Sequence, residues 1–307
     1  MVAAVTTLAL TGATGFVGSR LLSESLAAGQ QVRALTRSAQ ERQDGVAWIR
    51  GDLHDKAALA ELVAGADAVI HVAGLIKATT RAAFETVNAH GTLNLVEAAR
   101  DAGLRRFVHL SSLAAREPEL SDYGASKARA ETIVMASGLD WTIVRPPAIY
   151  GPGDRETLEL FRMARRGLVL LPPGGRFSVL EVGDLCQLLL AIVAAPGTIG
   201  HMYEPDDGRE NGWEHRHFAR TLGRLYGKRV TTVRAGRRVM GLGSRLDRLL
   251  RRDNAKLTPD RVRYFLHPDW VSTGGRRPPA EVWTPSVHTP TGLKRTAEWY
   301  RAHGWLR

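Results

Sequence analysis

Residues Thr11–Gly18 read Thr-Gly-Ala-Thr-Gly-Phe-Val-Gly, and this glycine-rich turn together with its flanks decides the fold. The residues before it, Thr7–Thr11, predict a short apolar strand. The residues after it, Phe16–Ala28, predict a helix, because apolar side chains recur at helical spacing. Those side chains are Val17, Leu21, Leu22 and Leu26. A strand, a glycine turn and a helix in this order are typical of the start of an α/β unit.

The same alternation of apolar strands and amphipathic helices continues to about residue 200. The predicted strands are Thr7–Thr11, Gln31–Thr36, Ala47–Arg50, Ala68–Val72, Arg106–Ser111, Trp141–Arg145 and Phe177–Leu180. The predicted helices are Phe16–Ala28, Ala83–Ala102, Tyr123–Ser137 and Val182–Ala194. Strands alternating with helices imply a parallel sheet covered on both faces. We therefore predict an α/β fold with a Rossmann doubly wound parallel sheet in residues 1–200.

The pattern changes after residue 200, where glycine, proline, arginine and tryptophan become frequent. Helices are predicted there at Trp213–Tyr226, Arg234–Leu250, Leu257–Leu266 and Gly292–His303. We predict that residues 201–307 form a smaller, mostly helical C-terminal substrate lobe. Residues 151–175 are also expected to contribute to that lobe.

Charge is distributed unevenly between these two parts. Residues 1–200 hold 20 Lys and Arg against 20 Asp and Glu, whereas residues 201–307 hold 22 against 11. The net charge of +11 therefore belongs to the C-terminal lobe. Such asymmetry indicates an anionic partner, either a phosphorylated substrate, an anionic membrane surface or a nucleic acid, or else a solvated basic surface. No nucleic-acid-binding motif accompanies the charge, so a nucleic acid is not expected.

Cysteine usage and hydropathy bear on the compartment. The single cysteine, Cys186, forms no internal disulfide, and the N-terminus has no basic segment before the apolar strand. The apolar run Leu185–Ala195 is shorter than the roughly 18 residues that a membrane-spanning helix needs. We expect a cytoplasmic protein, with peripheral contact at the inner membrane face as the alternative raised by the basic lobe.

The glycine turn predicts a dinucleotide site. Glycines allow a tight turn and a close approach of the backbone to a pyrophosphate, and the helix N-terminus offers free N–H groups. A plain strand–helix turn is the alternative. The expected contact residues are Gly12, Thr14, Gly15, Phe16, Val17 and Gly18.

Residues after the next strands complete the predicted cofactor site. The second strand ends at Arg37 with no acidic residue, and arginine suits the 2′-phosphate of NADP(H), whereas an acid suits the ribose of NAD(H). We predict that NADP(H) is preferred over NAD(H), with help from Arg33 and Arg42; a surface role for Arg37 is the alternative. Asp52 either contacts the adenine or caps the helix near Asp55. The remaining expected contacts are Leu53, Val72, Ala73 and Gly74.

A serine pair and a Tyr-x-x-x-Lys pair predict catalysis. Tyr123 and Lys127 are four residues apart, so they lie on one face of a helix. The charge of Lys127 lowers the pKa of the Tyr123 phenol, which then exchanges a proton with a ketone oxygen. A serine at the end of the fifth strand, Ser112 or its neighbour Ser111, hydrogen-bonds the same oxygen. No metal site is expected.

Taken together, these motifs resemble the extended short-chain dehydrogenases/reductases, of the epimerase/dehydratase and 3β-hydroxysteroid dehydrogenase-like group. The stretches that carry the resemblance are Thr11–Gly18, Gly51-Asp52, 87–92 with 94–99, Phe107–Ser112, Tyr123–Lys127, 145–154, 182–185 and 296–306.

The resemblance implies a role for each matching residue. Tyr123 would be the general acid/base, Lys127 would bind the nicotinamide ribose, and Ser112 would orient the substrate carbonyl, with Ser111 as the competing assignment and a cofactor contact. Pro146 and Ile149 would line the nicotinamide pocket. Asn88 would support the fourth strand, take part in a proton relay or cap a helix start. Asp184 is expected to cap the helix that follows it.

Two departures from the family pattern bear on the substrate. Only 11 positions separate Ser112 from Tyr123, and the segment after Tyr150 lacks the asparagine that the sugar-nucleotide enzymes use. We expect an NADP(H)-dependent oxidoreductase acting on a ketone or secondary alcohol of a hydrophobic lipid, such as a 3-oxo sphingolipid of the ceramide type or a steroid-like ketone. The alternatives are a sugar-nucleotide epimerase/dehydratase and a non-catalytic cofactor-binding assembly subunit.

The C-terminal lobe motivates the lipid hypothesis. The segment Arg234–Arg252 places apolar residues among six arginines that follow Arg234, as in a basic amphipathic helix that lies on anionic lipid. A helix packed on the sheet with its arginines in water is the alternative. Monomer and homodimer both remain open from the sequence.

Overall fold

The computed structural model describes residues 6–236, Gly241 and 259–306. Chain contacts divide the molecule into two compact units, each built from three separate segments. The first unit comprises residues 1–145, 185–204 and 278–284, and the second comprises residues 146–184, 205–277 and 285–307. The second unit includes residues 151–175, which were expected to contribute to the C-terminal lobe, together with residues 146–150 and 176–184. Residues 278–284 belong to the first unit.

The strands and helices are numbered in chain order among the described residues. The strands are β1 Thr7–Thr11, β2 Gln31–Thr36, β3 Val46–Arg50, β4 Ala68–His71, β5 Arg106–Leu110, β6 Asp140–Val144, β7 Ala148–Tyr150, β8 Leu168–Leu171, β9 Arg176–Phe177, β10 Val179–Glu181, β11 His201–Tyr203, β12 Trp213–Glu214, β13 Thr231–Arg234 and β14 Asp269–Trp270. The α-helices are α1 Phe16–Ala27, α2 Lys56–Val63, α3 Arg81–Phe84, α4 Gly91–Asp101, α5 Asp122–Met135, α6 Leu158–Arg166, α7 Val182–Ala194, α8 His215–Arg224, α9 Pro259–Leu266 and α10 Thr289–Ala302.

The first unit contains a seven-stranded sheet in the order β11-β6-β5-β4-β1-β2-β3, with all neighbours parallel. The order reverses beside β1, so β1 and β4 are neighbours although two strands separate them in the chain. This confirms the predicted doubly wound sheet. In such sheets, ligands bind at the carboxyl ends of the strands where the order reverses.

A buried apolar cluster holds helices against this sheet. It joins Ala9 of β1 and Phe107 of β5 to Leu59 of α2, Leu95 of α4 and Val134 of α5. Apolar strands that are buried on both faces need such helices as cover. The cluster fixes the carboxyl ends of the strands, from which the predicted site residues extend.

The second unit is built on three small sheets and a separate core. The sheets pair β10 with β7, β12 with β9 and β14, and β13 with β8. The core joins Phe161 of α6, Val169 of β8, Leu222 of α8, and Leu293 and Tyr300 of α10. Strands therefore contribute to this unit alongside the helices that the sequence predicted.

Two predicted elements differ from the structure. The predicted strand Phe177–Leu180 is two short strands, β9 and β10, which belong to different sheets. The seventh strand of the large sheet is instead β11, which the sequence analysis missed. Only three residues long, β11 is defined by its pairing with β6 rather than by a local pattern. Most of the predicted basic helix Arg234–Leu250 lies outside the described residues.

Candidate active site

The glycine turn after β1 is shaped by backbone contacts that a side chain would prevent. Gly12 has a φ of +76°, and a Cβ added to it would lie 2.8 Å from the backbone nitrogen of Ala73. A Cβ added to Gly18 would lie 1.9 Å from the carbonyl oxygen of Gly12. The amide of Gly15 closes the turn by donating to that same oxygen at 2.9 Å. The turn is thus a bare backbone cradle beside the end of β4.

Helix α1 begins immediately after this cradle and carries no side-chain cap. Gly15 is its N-cap residue, and its first turn has no acidic residue. The first N–H groups of a helix have no partner within the helix, and they bear the positive end of the helix dipole. An uncapped N-terminus beside a glycine cradle fits a pyrophosphate, which supplies the missing acceptors.

A chain of buried hydrogen bonds joins the ends of β1 and β4 to helix α4. The hydroxyl of Thr92 donates to the carbonyl of Asn88 at 2.6 Å, so its oxygen accepts from Nε2 of His71 at 2.9 Å. Nδ1 of His71 then accepts from the hydroxyl of Thr11 at 2.7 Å. The oxygen of Thr11 in turn accepts from the amide of Ala73 at 3.2 Å. This chain holds the backbone of Ala73 against the glycine turn.

The imidazole in this chain is held neutral. Burial, followed by the charge of Lys127, lowers the pKa of His71 to about 3. His109 lies on the neighbouring strand with its ring centroid 5.2 Å from that of His71, and its pKa is also well below normal for the same reasons. Both side chains are therefore uncharged at neutral pH. The two imidazoles therefore add no positive charge near Lys127.

Lys127 is buried on α5 and points at the end of β5. Its Nζ donates to the carbonyl oxygen of Leu110 at 2.7 Å. Burial lowers the pKa of Lys127 to about 8, while the negative charge of Glu131 acts in the opposite direction. An ammonium carries three donors, and this bond uses one of them. The side chain is fixed in place and remains largely cationic at neutral pH.

Glu131, one turn after Lys127 on α5, is a site residue that the sequence analysis missed. Its carboxylate accepts hydrogen bonds from Nε of Arg145 at 2.8 Å and from Nη2 of Arg145 at 2.6 Å. Nη1 of Arg145 also lies 3.5 Å from Oε1 of Glu204, a carboxylate as deeply buried as that of Glu131. Breaking one member of such a buried network is strongly destabilising. The spacing of four residues from Lys127 was the signal that could have found Glu131.

The two adjacent serines after β5 have different partners. Ser111 is buried and donates its hydroxyl to Oε1 of Glu131 at 2.5 Å. Ser112 is half-buried, and its Oγ accepts from the amide of Ala114 at 3.2 Å. This leaves the hydroxyl proton of Ser112 to be donated. Successive residues of an extended chain point to opposite sides, so only one serine of the pair can face the interior.

Tyr123 lies in the first turn of α5, and its position is fixed by the start of that helix. Ser121 caps the helix by accepting from the amide of Gly124 at 2.9 Å. A Cβ on Gly124 would lie 2.6 Å from the carbonyl oxygen of Ala114, so the helix start packs closely on the turn that follows Ser112. The half-buried ring of Tyr123 lies 6.0 Å from the ring of Phe84.

Asn88 lies in a π-helical turn, Glu85–His90, and acts as an anchor. Its amide donates to the carbonyl oxygen of Leu75 at 3.0 Å and to the hydroxyl of Ser126 at 2.9 Å, and its oxygen accepts from the amide of Leu75 at 2.7 Å. Every donor of the side chain is used, and its main-chain carbonyl is taken by Thr92. Asn88 therefore anchors the segment that follows β4, through the backbone of Leu75.

Two arginines of the β2 region differ in their contacts: Arg37, just after the strand, is exposed, and Arg33, within it, is hydrogen-bonded to α2. Arg37 is exposed and has no hydrogen bond or ion pair with the part of the chain that the structure describes. Arg33 donates through Nε and Nη2 to the carbonyl of Glu61 at the last turn of α2, at 3.2 and 2.6 Å. The expectation that Arg33 assists Arg37 is therefore corrected, because its guanidinium is occupied by the helix end.

The turn after β3 assigns the helix cap to a different aspartate. Asp55 caps α2 by accepting from the amide of Ala58 at 3.0 Å, whereas exposed Asp52 accepts from the amide of His54 at 2.8 Å. The predicted alternative of Asp52 as the cap is thus corrected. Leu53 is buried, and its side chain packs against Gly91 at the start of α4, so the side chain belongs to the core.

The other predicted residues lie in the second unit. Pro146 is buried, and Ile149 lies in β7 and is half-buried. Asp184 is not a helix cap: it accepts from the amide and hydroxyl of Ser286, at 3.1 and 2.6 Å. Glu181 instead accepts from the amides at the start of α7. A contact from 102 positions away was out of reach of sequence reasoning.

The described residues offer neither a metal-binding cluster nor a membrane-spanning helix. No group of three or more His, Cys, Asp or Glu side chains in the described ranges could hold a metal ion. Within the same ranges, every helix is too short or too polar to cross a bilayer.

The chain is similar to known NAD(P)H-binding proteins and reductases. Residues 12–166, half of the chain, match a family model described as NAD(P)H-binding. A ceramide reductase of Caulobacter vibrioides is 39% identical, with 97% of this chain and 95% of that protein covered. A 4-hydroxy-2-methyl-3-oxo-4-farnesyl-3,4-dihydroquinoline-1-oxide ketoreductase of Stigmatella aurantiaca is 35% identical, with 65% of this chain and 67% of that protein covered.

A solved structure gives the same fold over the full length. The crystal structure of gox2253 superposes with a TM-score of 0.79, covering 99% of this chain and 100% of that chain. Its sequence identity is 21%, so this likeness concerns the fold alone.

Proposed function

The chain belongs to the extended short-chain dehydrogenase/reductase family and is an NAD(P)-dependent oxidoreductase, and we propose that it interconverts a ketone and a secondary alcohol on a long-chain lipid of the ceramide type. The observation that carries this proposal is the likeness to the ceramide reductase, which extends over 97% of the chain. That coverage includes the second unit as well as the dinucleotide cradle. The ketoreductase relative, named for a farnesyl-bearing ketone, supports the same class of hydrophobic substrate.

The shape of the glycine cradle shows whether a nicotinamide dinucleotide can be accommodated. Side chains on Gly12 or Gly18 would fill the space against Ala73 and the turn, and the uncapped start of α1 supplies amide donors for a pyrophosphate. The residues present therefore fit a nicotinamide dinucleotide. When bound, the reduced cofactor supplies a hydride to the carbonyl carbon.

The proton is transferred at Tyr123 of the first unit, next to Lys127. We assign Tyr123 as the group that gives its phenolic proton to the ketone oxygen during reduction and takes it back during oxidation. Lys127, cationic at neutral pH and fixed by Leu110, stabilises the resulting phenolate and has donors left for the nicotinamide ribose. Reduction thus consumes one hydride and one proton and yields a secondary alcohol and the oxidised cofactor.

We assign Ser112, rather than Ser111, as the serine that orients the carbonyl. The hydroxyl of Ser111 is used by Glu131 inside the protein, whereas the hydroxyl of Ser112 has a proton to donate. Glu131 and Arg145 then act as positioning residues. Arg145 holds the carboxylate of Glu131, and that carboxylate holds Ser111 at the end of β5.

The proposed reaction is tested with a 3-oxo ceramide dispersed in detergent micelles. We expect NADPH oxidation that depends on this lipid, with formation of the 3-hydroxy product measured by mass spectrometry. A steroid ketone and a short-chain ketone define how much the acyl chains contribute. Turnover of UDP-sugars with tightly retained NAD, and none of the lipid ketone, would contradict the proposal and favour the epimerase/dehydratase alternative.

We further propose that NADP(H) is the preferred cofactor, through Arg37. Its exposed guanidinium lies at the end of β2, where the adenosine ribose is read in Rossmann domains. A 2′-phosphate accepts a charge-assisted bidentate hydrogen bond from arginine, whereas a ribose hydroxyl does not.

Replacing this arginine changes the cofactor preference. In Arg37→Ala, we expect kcat/KM for NADPH to fall about 10- to 100-fold, which corresponds to the ~1.5–3 kcal/mol of a hydrogen bond to a charged group. The value for NADH should remain near that of the wild type. The matched control is Arg100→Ala, an exposed arginine on α4. An unchanged ratio of NADPH to NADH efficiency, or a wild type that prefers NADH, would count against the assignment.

A further inference from the structure

The second unit exposes an apolar face on its two-stranded sheet of β8 and β13. Along β8, Val169 and Leu171 are buried, while Leu168 and Leu170 are 48% and 52% exposed. Across the sheet, Val233 pairs with Leu170 and is 44% exposed. Large apolar side chains are seldom exposed side by side without a binding role.

The register places these side chains together. The strands are parallel, with Thr231 opposite Leu168 and Val233 opposite Leu170. Side chains at alternate positions point to the same side, so these four residues form one surface, called here the β8–β13 face. Its opposite side is anchored in the core of the unit through Val169 and Leu171.

Basic residues surround this face. The stretches 160–176 and 224–236, which contain the two strands, hold eight basic residues and no acidic residue. Two of the eight are paired outside these stretches, Arg162 with Glu159 and Arg176 with Glu214. Arg165 and Arg166 precede β8 directly and are exposed. In the segment that leads into β13, Cδ of Lys228 lies 3.9 Å from a Cβ built on Gly167, and Arg229 follows it. Exposed Arg234 ends β13 opposite Leu171, so it lies on the other side of this sheet and is not part of the face.

We propose that the β8–β13 face docks this protein on an anionic lipid bilayer. Apolar side chains enter the boundary between headgroups and acyl chains, and surrounding basic residues bind anionic headgroups; this combination is what peripheral membrane proteins use. The surplus of positive charge in residues 201–307 favours an anionic occupant over a basic or neutral one. This docking rests on the proposed function, because a ceramide-type ketone resides in a bilayer and docking would bring the enzyme to that substrate.

The test measures co-sedimentation of the full chain with vesicles of phosphatidylcholine, with and without phosphatidylglycerol. We expect binding to the anionic vesicles only, weakened by added salt. The double variant Leu168→Ser/Leu170→Ser should lower the partition coefficient at least about tenfold, and Arg165→Glu/Arg166→Glu should do the same. Matched controls in the first unit are Leu93→Ser and Arg100→Glu on α4, which should bind as the wild type does.

Three results would contradict docking of the β8–β13 face on a bilayer. The proposal is overturned if the wild type does not bind anionic vesicles, or if Leu168→Ser/Leu170→Ser binds as well as Leu93→Ser. It is also overturned if sedimentation equilibrium shows a dimer that this double variant dissociates, since a second copy would then cover the face. Sedimentation needs no turnover, so a failure of the proposed ketone reduction would not be confused with a failure of membrane docking.

Discussion

Tyr123→Phe is expected to lower kcat for ketone reduction by about 10²–10⁴-fold, the usual contribution of a positioned general acid. The variant keeps the ring that lies near Phe84 and loses only the hydroxyl that donates the proton. Because Lys127 and the glycine cradle are untouched, the Kd for NADPH should stay within error of the wild-type value. The measurements are single-turnover kinetics with a soluble ketone and a fluorescence titration with NADPH.

A matched tyrosine and the two serines sharpen this result. Tyr226→Phe removes a buried hydroxyl that has no hydrogen-bond partner among the described residues, so it should leave kcat unchanged. Ser112→Ala should lower kcat by about 10²-fold, the effect of losing one donor to a developing oxyanion. Ser111→Ala should act on stability rather than on kcat. A Tyr123→Phe enzyme with wild-type kcat would remove the catalytic assignment of the phenol.

Gly18→Ala is expected to raise the Kd for NADPH by about 10²-fold or more. The new Cβ would lie 1.9 Å from the carbonyl oxygen of Gly12, so the turn must move by more than 1 Å to relieve the contact. Moving it pulls amide donors away from the pyrophosphate. The loss of one or two charge-assisted hydrogen bonds, at ~1.5–3 kcal/mol each, weakens binding by about 10²-fold or more.

A graded set of glycine variants separates this effect from unfolding. At Gly15 an added Cβ would lie 3.3 Å from the same oxygen, which a small shift relieves, so Gly15→Ala should weaken binding less than Gly18→Ala. Gly197→Ala has no heavy atom within 4 Å of the new Cβ and is the matched control. Calorimetric Tm values report folding for all three. Equal NADPH affinity in Gly18→Ala and Gly197→Ala would show that the turn does not hold the cofactor.

Features that are set by residues close together in the chain were predicted correctly. The bounds of β1 and β2 were predicted correctly, because turn residues and apolar runs mark them within a few positions. The parallel, doubly wound sheet followed from the alternation of strands and helices and was confirmed. The cofactor class and the oxidoreductase activity followed from motifs whose parts lie close together in the chain, and the comparisons bear both out.

Signals that join distant residues were missed or misassigned. The helix-capping role predicted for Asp184 was wrong, because its partner Ser286 is 102 positions away and the nearby Glu181 does the capping. Strand β11 has no local pattern and exists through its pairing with β6. The exposed leucines of β8 become a surface only when β13, some sixty residues later, is placed beside them.

By itself, the sequence determined that Thr11–Gly18 turns between a strand and a helix, and that Tyr123 and Lys127 share one helical face. Both follow from backbone geometry over a few residues. Only the tertiary structure distinguished Ser111 from Ser112. The two are chemically identical neighbours, and the distinction depends on Glu131, which is twenty positions away on α5 and accepts the hydroxyl of Ser111 alone. Local chemistry fixed which groups are present, and packing between distant segments fixed the direction in which each one points.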